Sequence, residues 1–277
     1  MQHFTASDGR KIAFSDSGGS GPAVLCLAGL TRDSRDFAPL SPHLTPDFRV
    51  ITMDYRGRGA SDHATDPVTE YQPQIEGRDA VELLAHLGIE RTSLIGTSRG
   101  GMIGMGLAAS MPNLIGALVL NDIGPVIDLD GIGVIMTYLG KPIPHTDLDA
   151  AAAAFLALYG DTAPDLTLSD WRGYAERTFH MRDGRPVLSY DPALRGAVEA
   201  SIPDAPPDLW PLFDAINAPL LILRGENSNI LSADTVAEMQ RRKPNLTAVE
   251  VPNRGHCPML DEPAVLEAML PFLRAHS

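Results

Sequence analysis

Gly96-Thr97-Ser98-Arg99-Gly100-Gly101 follows directly on the short apolar run Ser93 to Ile95 and opens a small, apolar, helix-patterned stretch, Gly100 to Ser110. A Gly-x-Ser-x-Gly pentapeptide between a strand and a helix marks a sharp turn that lifts the serine hydroxyl clear of the sheet. The glycines two positions either side of Ser98 allow the bend. The helix N-terminus behind it favours negative charge developing beside the serine. The same residues can serve as a plain turn with Ser98 as a helix N-cap, but the strand before and the helix after favour the first reading.

Outward from this turn, short runs rich in Val, Ile and Leu alternate with longer helix-patterned segments. That alternation predicts an α/β fold with a mostly parallel sheet covered on both faces. The expected strands are Lys11 to Asp16, Ala23 to Ala28, Arg49 to Asp54, Ser93 to Gly96, Ala117 to Asn121, Pro219 to Arg224 and Thr247 to Val251. Helices are expected over Pro73 to Leu87, which stops at Gly88, over Ser232 to Arg242, which opens on a serine cap, and over Glu262 to Ala275. From Gly124 to Pro211 the alternation stops. Three helix-like pieces, Asp147 to Tyr159, Leu168 to Met181 and Pro192 to Ala200, take over. Pro142, Pro144, Pro203, Pro206, Pro207 and Pro211 punctuate the ends. The expected organisation is a core of residues 1–124 and 212–277 with a helical cap inserted at 125–211.

A serine is a weak nucleophile at neutral pH and needs a base, usually histidine. Of eight histidines, only His256 follows the last expected strand and a glycine, in Asn253-Arg254-Gly255-His256-Cys257-Pro258. It is the candidate base. The others read as surface or packing residues, with His180 placed to line a pocket.

Composition narrows the partners. The chain has 277 residues, 44% hydrophobic and 21% charged, with a formal net charge of −13. Nucleic acid and anionic membrane surfaces call for basic patches, so neither is an expected partner; a small-molecule substrate is. Two cysteines, Cys26 and Cys257, are too few for a disulfide framework and match no metal-site spacing. The residues Met1 to Gly9 lack a basic region followed by an apolar run. The long apolar stretch Ala117 to Gly140 is broken by Asp122, Asp128 and Asp130, costly inside a bilayer. A cytoplasmic monomer or homodimer is expected.

Together these segments resemble the α/β-hydrolase family, in its cap-bearing, small-molecule esterase-like branch, over nearly the whole chain. Cys26-Leu27-Ala28-Gly29-Leu30-Thr31 sits where that family has a His-Gly oxyanion loop, with Ala28 in place of the histidine. Asp54-Tyr55-Arg56-Gly57-Arg58-Gly59-Ala60-Ser61 is similar to the family's Asp-x-Arg-Gly-x-Gly-x-Ser turn, and Gly255-His256 is followed by Asp261-Glu262-Pro263. The resemblance implies an oxyanion hole made by the backbone N–H groups of Leu30 and Arg99.

The family's acid loop corresponds to Gly225-Glu226-Asn227-Ser228-Asn229, where Asn229 stands in the usual position of the aspartate. An amide cannot stabilise an imidazolium as a carboxylate does. Three explanations stand. Asp122, after the strand Ala117 to Asn121, reaches His256 instead; Asn229 itself orients His256; or the acid slot is empty and the site impaired. We place Asp122 first, although Asn121-Asp122-Ile123-Gly124-Pro125 also reads as a capped loop. Glu226 is a weaker candidate.

The expected chemistry is attack by Ser98 on an ester, lactone or similar carbonyl, with His256 as base and no metal or cofactor. Met136, Tyr138, Phe155, Trp171, Tyr174 and Phe179 are expected to shape the cap side of the pocket. C–C bond hydrolases, acyltransferases and perhydrolases share this frame, and a ligand-binding protein on the same scaffold is the non-catalytic alternative.

Overall fold

The run Ala23–Leu27 (β3) shows why the sheet forms. Val24 and Cys26 face one side, Leu25 and Leu27 the other, and all four are buried. A strand apolar on both faces belongs inside a sheet sandwiched between helices. In the computed structural model, which describes residues 1–201 and 208–277, β3 sits within an eight-stranded sheet. The other members are Gln2–Thr5 (β1), Lys11–Asp16 (β2), Arg49–Met53 (β4), Thr92–Thr97 (β5) and Ile115–Asn121 (β6). Two more follow a long interval: Leu220–Gly225 (β9) and Thr247–Val251 (β10). Between them Phe179–Arg182 (β7) and Arg185–Leu188 (β8) pair only with each other. The sheet order is β1-β2-β4-β3-β5-β6-β9-β10. The pairs β1–β2 and β2–β4 are antiparallel and the rest parallel.

The helices are Ser41–Leu44 (α1), Pro67–Glu70 (α2), Pro73–His86 (α3), Arg99–Ser110 (α4), Leu129–Tyr138 (α5) and Leu148–Tyr159 (α6). Then come Leu168–Thr178 (α7), Leu194–Ser201 (α8), Trp210–Asp214 (α9), Ala233–Arg242 (α10) and Pro263–His276 (α11). One face of the sheet packs Leu83 and Leu84 of α3, Ile103 and Leu107 of α4, Phe213 of α9 and Met239 of α10. The other face packs Val265, Met269, Phe272 and Leu273 of α11. Helices α5 to α8 and the β7–β8 hairpin lie in the chain between β6 and β9, which are sheet neighbours. Among the described residues no helix is long and apolar enough to cross a membrane.

Three readings are corrected. The helix expected over Leu168 to Met181 ends at Thr178, because Asp183 and Gly184, with φ of 51° and 75°, form a tight turn that folds Phe179 to Leu188 into a hairpin. The stretch Ala117 to Gly140, read only as an apolar run, contains helix α5. Strand β1 was not expected, since it is short and only Phe4 is buried. Pro203, Pro206 and Pro207 lie outside the described residues; Pro211 stands in the first turn of α9.

Candidate active site

The carboxyl ends of β3, β5, β6, β9 and β10 bring Leu30, Ser98, Asp122, Ser228 and His256 together, the side of an open parallel sheet where ligands bind. Ser98 has φ 50° and ψ −111°, a conformation that costs about 1–3 kcal/mol in a non-glycine residue and persists only where the surroundings impose it. They do so here by close packing. A side chain on Gly96 would lie 2.5 Å from the Gly100 backbone, and one on Gly100 would overlap the Leu27 carbonyl oxygen.

His256 Nε2 lies 3.0 Å from Ser98 Oγ, and His256 Nδ1 lies 2.7 Å from Asp122 Oδ2. A carboxylate only accepts, so Nδ1 carries the ring proton and Nε2 is left to accept from the serine hydroxyl. Asp122 is fully buried. Its carboxylate also accepts from the Gly225 N–H at 2.8 Å and the Ser228 hydroxyl at 2.5 Å, so its cost of burial is offset by three hydrogen bonds. Asn229 is exposed. Neither ring nitrogen of His256 is hydrogen-bonded to it; Nε2 faces Ser98 and Nδ1 faces Asp122. Ser228, its neighbour, was not singled out from the sequence; a serine beside the vacant acid position was its only signal.

The backbone N–H groups of Leu30 and Arg99 donate to no acceptor among the described residues. Each residue is anchored elsewhere. The buried Arg58 donates from Nε to the Leu30 carbonyl at 3.0 Å. The Arg99 guanidinium donates to Glu76 at 2.6 Å and to the Tyr71 carbonyl at 2.8 Å. Glu76, also buried, pairs with Arg58 at 2.8 Å, so one carboxylate links the side chains behind both N–H groups. The sequence motif around Arg56 and Arg58 marked this region without revealing Glu76 as its hub.

The loop bearing His256 is pinned on both sides. Arg254 pairs with Glu262 at 2.8 Å, and Glu262 accepts from the N–H groups of Met259 and Leu260. Asn121 Nδ2 donates to the Pro258 carbonyl at 3.0 Å. Thus the Asp261-Glu262-Pro263 segment serves as a brace for the histidine.

Ser98 and His256 open onto a cavity of about 460 Å³ whose far wall comes from α5 to α7. Tyr138, Phe155, Trp171, Tyr174 and Phe179 line it. Trp171 is also core, stacked with Tyr159 at 5.9 Å. Met136 and His180 do not line it, correcting the sequence reading. Met136 packs into the cluster of Tyr71, Leu139 and Tyr190. His180, on β7, faces Asp33 at 3.7 Å. Cys257 lines the cavity, but burial pushes its thiol well above the ordinary range, away from the reactive thiolate. Among the described residues no group of three or more His, Cys, Asp or Glu is placed to hold a metal.

Comparison with known proteins agrees with this architecture. The chain is 36% identical over 255 residues to the 3-hydroxybutyrate-oligomer hydrolase of Cupriavidus necator, covering 88% of this chain and 85% of that one. It is 30% identical over 240 residues to the 2-(acetamidomethylene)succinate hydrolase of Mesorhizobium japonicum, covering 86% and 82%. A crystal structure of an alpha/beta hydrolase from Novosphingobium aromaticivorans superimposes with a TM-score of 0.92 at 43% identity, over 99% of this chain and 97% of that one. Residues 24–269 match the model of the alpha/beta hydrolase family. The chain belongs to the alpha/beta hydrolase family and is a hydrolytic enzyme.

Proposed function

We propose that the protein is a serine esterase in which Ser98 is the nucleophile, His256 the general base and Asp122 the acid. Ser98 Oγ bonds to the carbonyl carbon as His256 Nε2 takes its proton. The oxyanion rests on the N–H groups of Leu30 and Arg99. Collapse breaks the bond to the alcohol, which leaves with the proton from His256, and the acyl group stays on Ser98. Water then attacks, giving a proton to His256; the acid departs and Ser98 regains its hydrogen.

The observation that carries this reading is the unbroken hydrogen-bond chain Ser98–His256–Asp122 at 3.0 and 2.7 Å. Two free N–H groups beside it supply transition-state stabilisation, of which a single donor is worth about 10²–10³ in kcat. Asp122 supplies the carboxylate that Asn229 lacks, which weighs against a merely ligand-binding protein. Residues 125–211 act as the cap, and the volume of the cavity suits a small ester. Similarity to a 3-hydroxybutyrate-oligomer hydrolase supports a small carbonyl substrate. Two free cysteines fit a reducing compartment such as the cytoplasm.

Steady-state hydrolysis of p-nitrophenyl acetate, butyrate and octanoate tests the reading. Turnover should vanish to below a few per cent in Ser98→Ala while the circular dichroism spectrum is unchanged. Retained turnover in that variant overturns it.

A further inference from the structure

Although the chain carries a formal net charge of −13, the cavity above Ser98 is lined by the opposite sign. Arg32, Lys141, Arg177 and Arg254 contribute to its wall, and among the described residues Asp36 is the one carboxylate residue there. Two of these cations are neutralised within the protein. Arg32 is bound to Asp36 at 2.8 Å, and Arg254 to Glu262 and to Asp165 at 2.6 Å.

Arg177 and Lys141 are different. Among the described residues, Arg177 is the one arginine that is not exposed and has no carboxylate partner. Lys141, which is exposed, likewise has no carboxylate partner among the described residues. His145, packed on the Phe179 ring, lines the same cavity. A partly buried guanidinium without a counter-ion is costly unless a ligand supplies one.

We propose that the cavity takes esters bearing a free carboxylate away from the scissile bond, with Arg177 as its counter-ion and Lys141 assisting. The inference rests on the esterase reading above and names its substrate class. Arg177 binds the acid end and leaves the scissile carbonyl beside Ser98. A guanidinium presents a fork of donors that suits a planar carboxylate.

Monoethyl adipate and diethyl adipate make a matched pair, followed by ethanol release. The ratio of kcat/KM, monoester over diester, should exceed about tenfold, and Arg177→Met should lower it by about tenfold to a hundredfold, mainly through KM. Arg177→Lys should restore part of it. A ratio near one, or a loss in Arg177→Met common to both esters, overturns the inference. Calorimetric binding to Ser98→Ala separates this from failure of the esterase reading. Monoethyl adipate binding that weakens tenfold or more on adding Arg177→Met supports the anion site even where neither ester turns over. Equal binding to both variants, or none to either, overturns it.

Discussion

Asp122 accepts hydrogen bonds from His256, Ser228 and the Gly225 N–H, whereas Asn229 beside it is exposed to solvent. The two substitutions therefore separate. Asp122→Asn should lower kcat on p-nitrophenyl butyrate by about 10³–10⁴-fold, through a wrong tautomer and a lost counter-charge, with little change in KM. Asn229→Ala and Asn229→Asp should each change kcat by less than about threefold. A large gain in Asn229→Asp would mean that the β9 loop still holds a usable acid position. Ser98 and His256 were legible in the sequence because each sits at a fixed offset from a strand end. The choice between Asp122 and Asn229 was not, because it depends on the register of β6 against β9, where Asn121 pairs with Leu223 and brings Asp122 under the loop.

At the scale of elements, Glu76 on α3 joins the β4–α2 turn to the start of α4 through Arg58 and Arg99. Removing one charge from such a buried network costs about 3–5 kcal/mol. Glu76→Gln should lower the melting temperature and should lower kcat more than it raises KM, because the Leu30 and Arg99 peptides lose their anchors. Melting curves and the split between kcat and KM check this; a loss of stability with kcat intact would make Glu76 purely structural. Helix periodicity made α3 visible but could not show that its Glu76 faces inward against two arginines. The hairpin β7–β8 carried its own signal in Asp183-Gly184. Only its first residues, Phe179 to Met181, are read as helix, because they continue the helical spacing of α7 toward the turn that reverses the chain.

At the scale of the whole molecule, a second charge cluster ties α2 to the β1–β2 loop and to the turn after β4. Glu70 is paired with Arg10 at 2.8 Å and Arg56 at 3.0 Å and accepts from the N–H groups of Thr65 and Asp66. Burial alone would raise its pKa, but the Arg10 bond and the backbone donors together hold it down, at about 2 rather than 4.5. A depressed folded-state pKa gives stability that is complete above about pH 4.5 and is lost as the pH falls toward 2. The stability difference between the natural protein and Glu70→Gln, measured by urea unfolding, should therefore be constant from pH 7 to 5 and shrink between pH 4.5 and 2. A difference unchanged across that lower range would contradict the assignment. The parallel core was legible because its strands are apolar on both faces. At the antiparallel edge β2 was legible, but β1 was not, since it is short and only Phe4 is buried.

The central claim, that Ser98 is activated through His256 by Asp122, is tested most directly by the rate and position of labelling with a fluorophosphonate. Peptide mass spectrometry should place the adduct on Ser98, with labelling slowed at least a hundredfold in Asp122→Asn and unchanged within a few-fold in Asn229→Ala. An adduct on another residue, or Asn229→Ala slowing the reaction as much as Asp122→Asn, would contradict it.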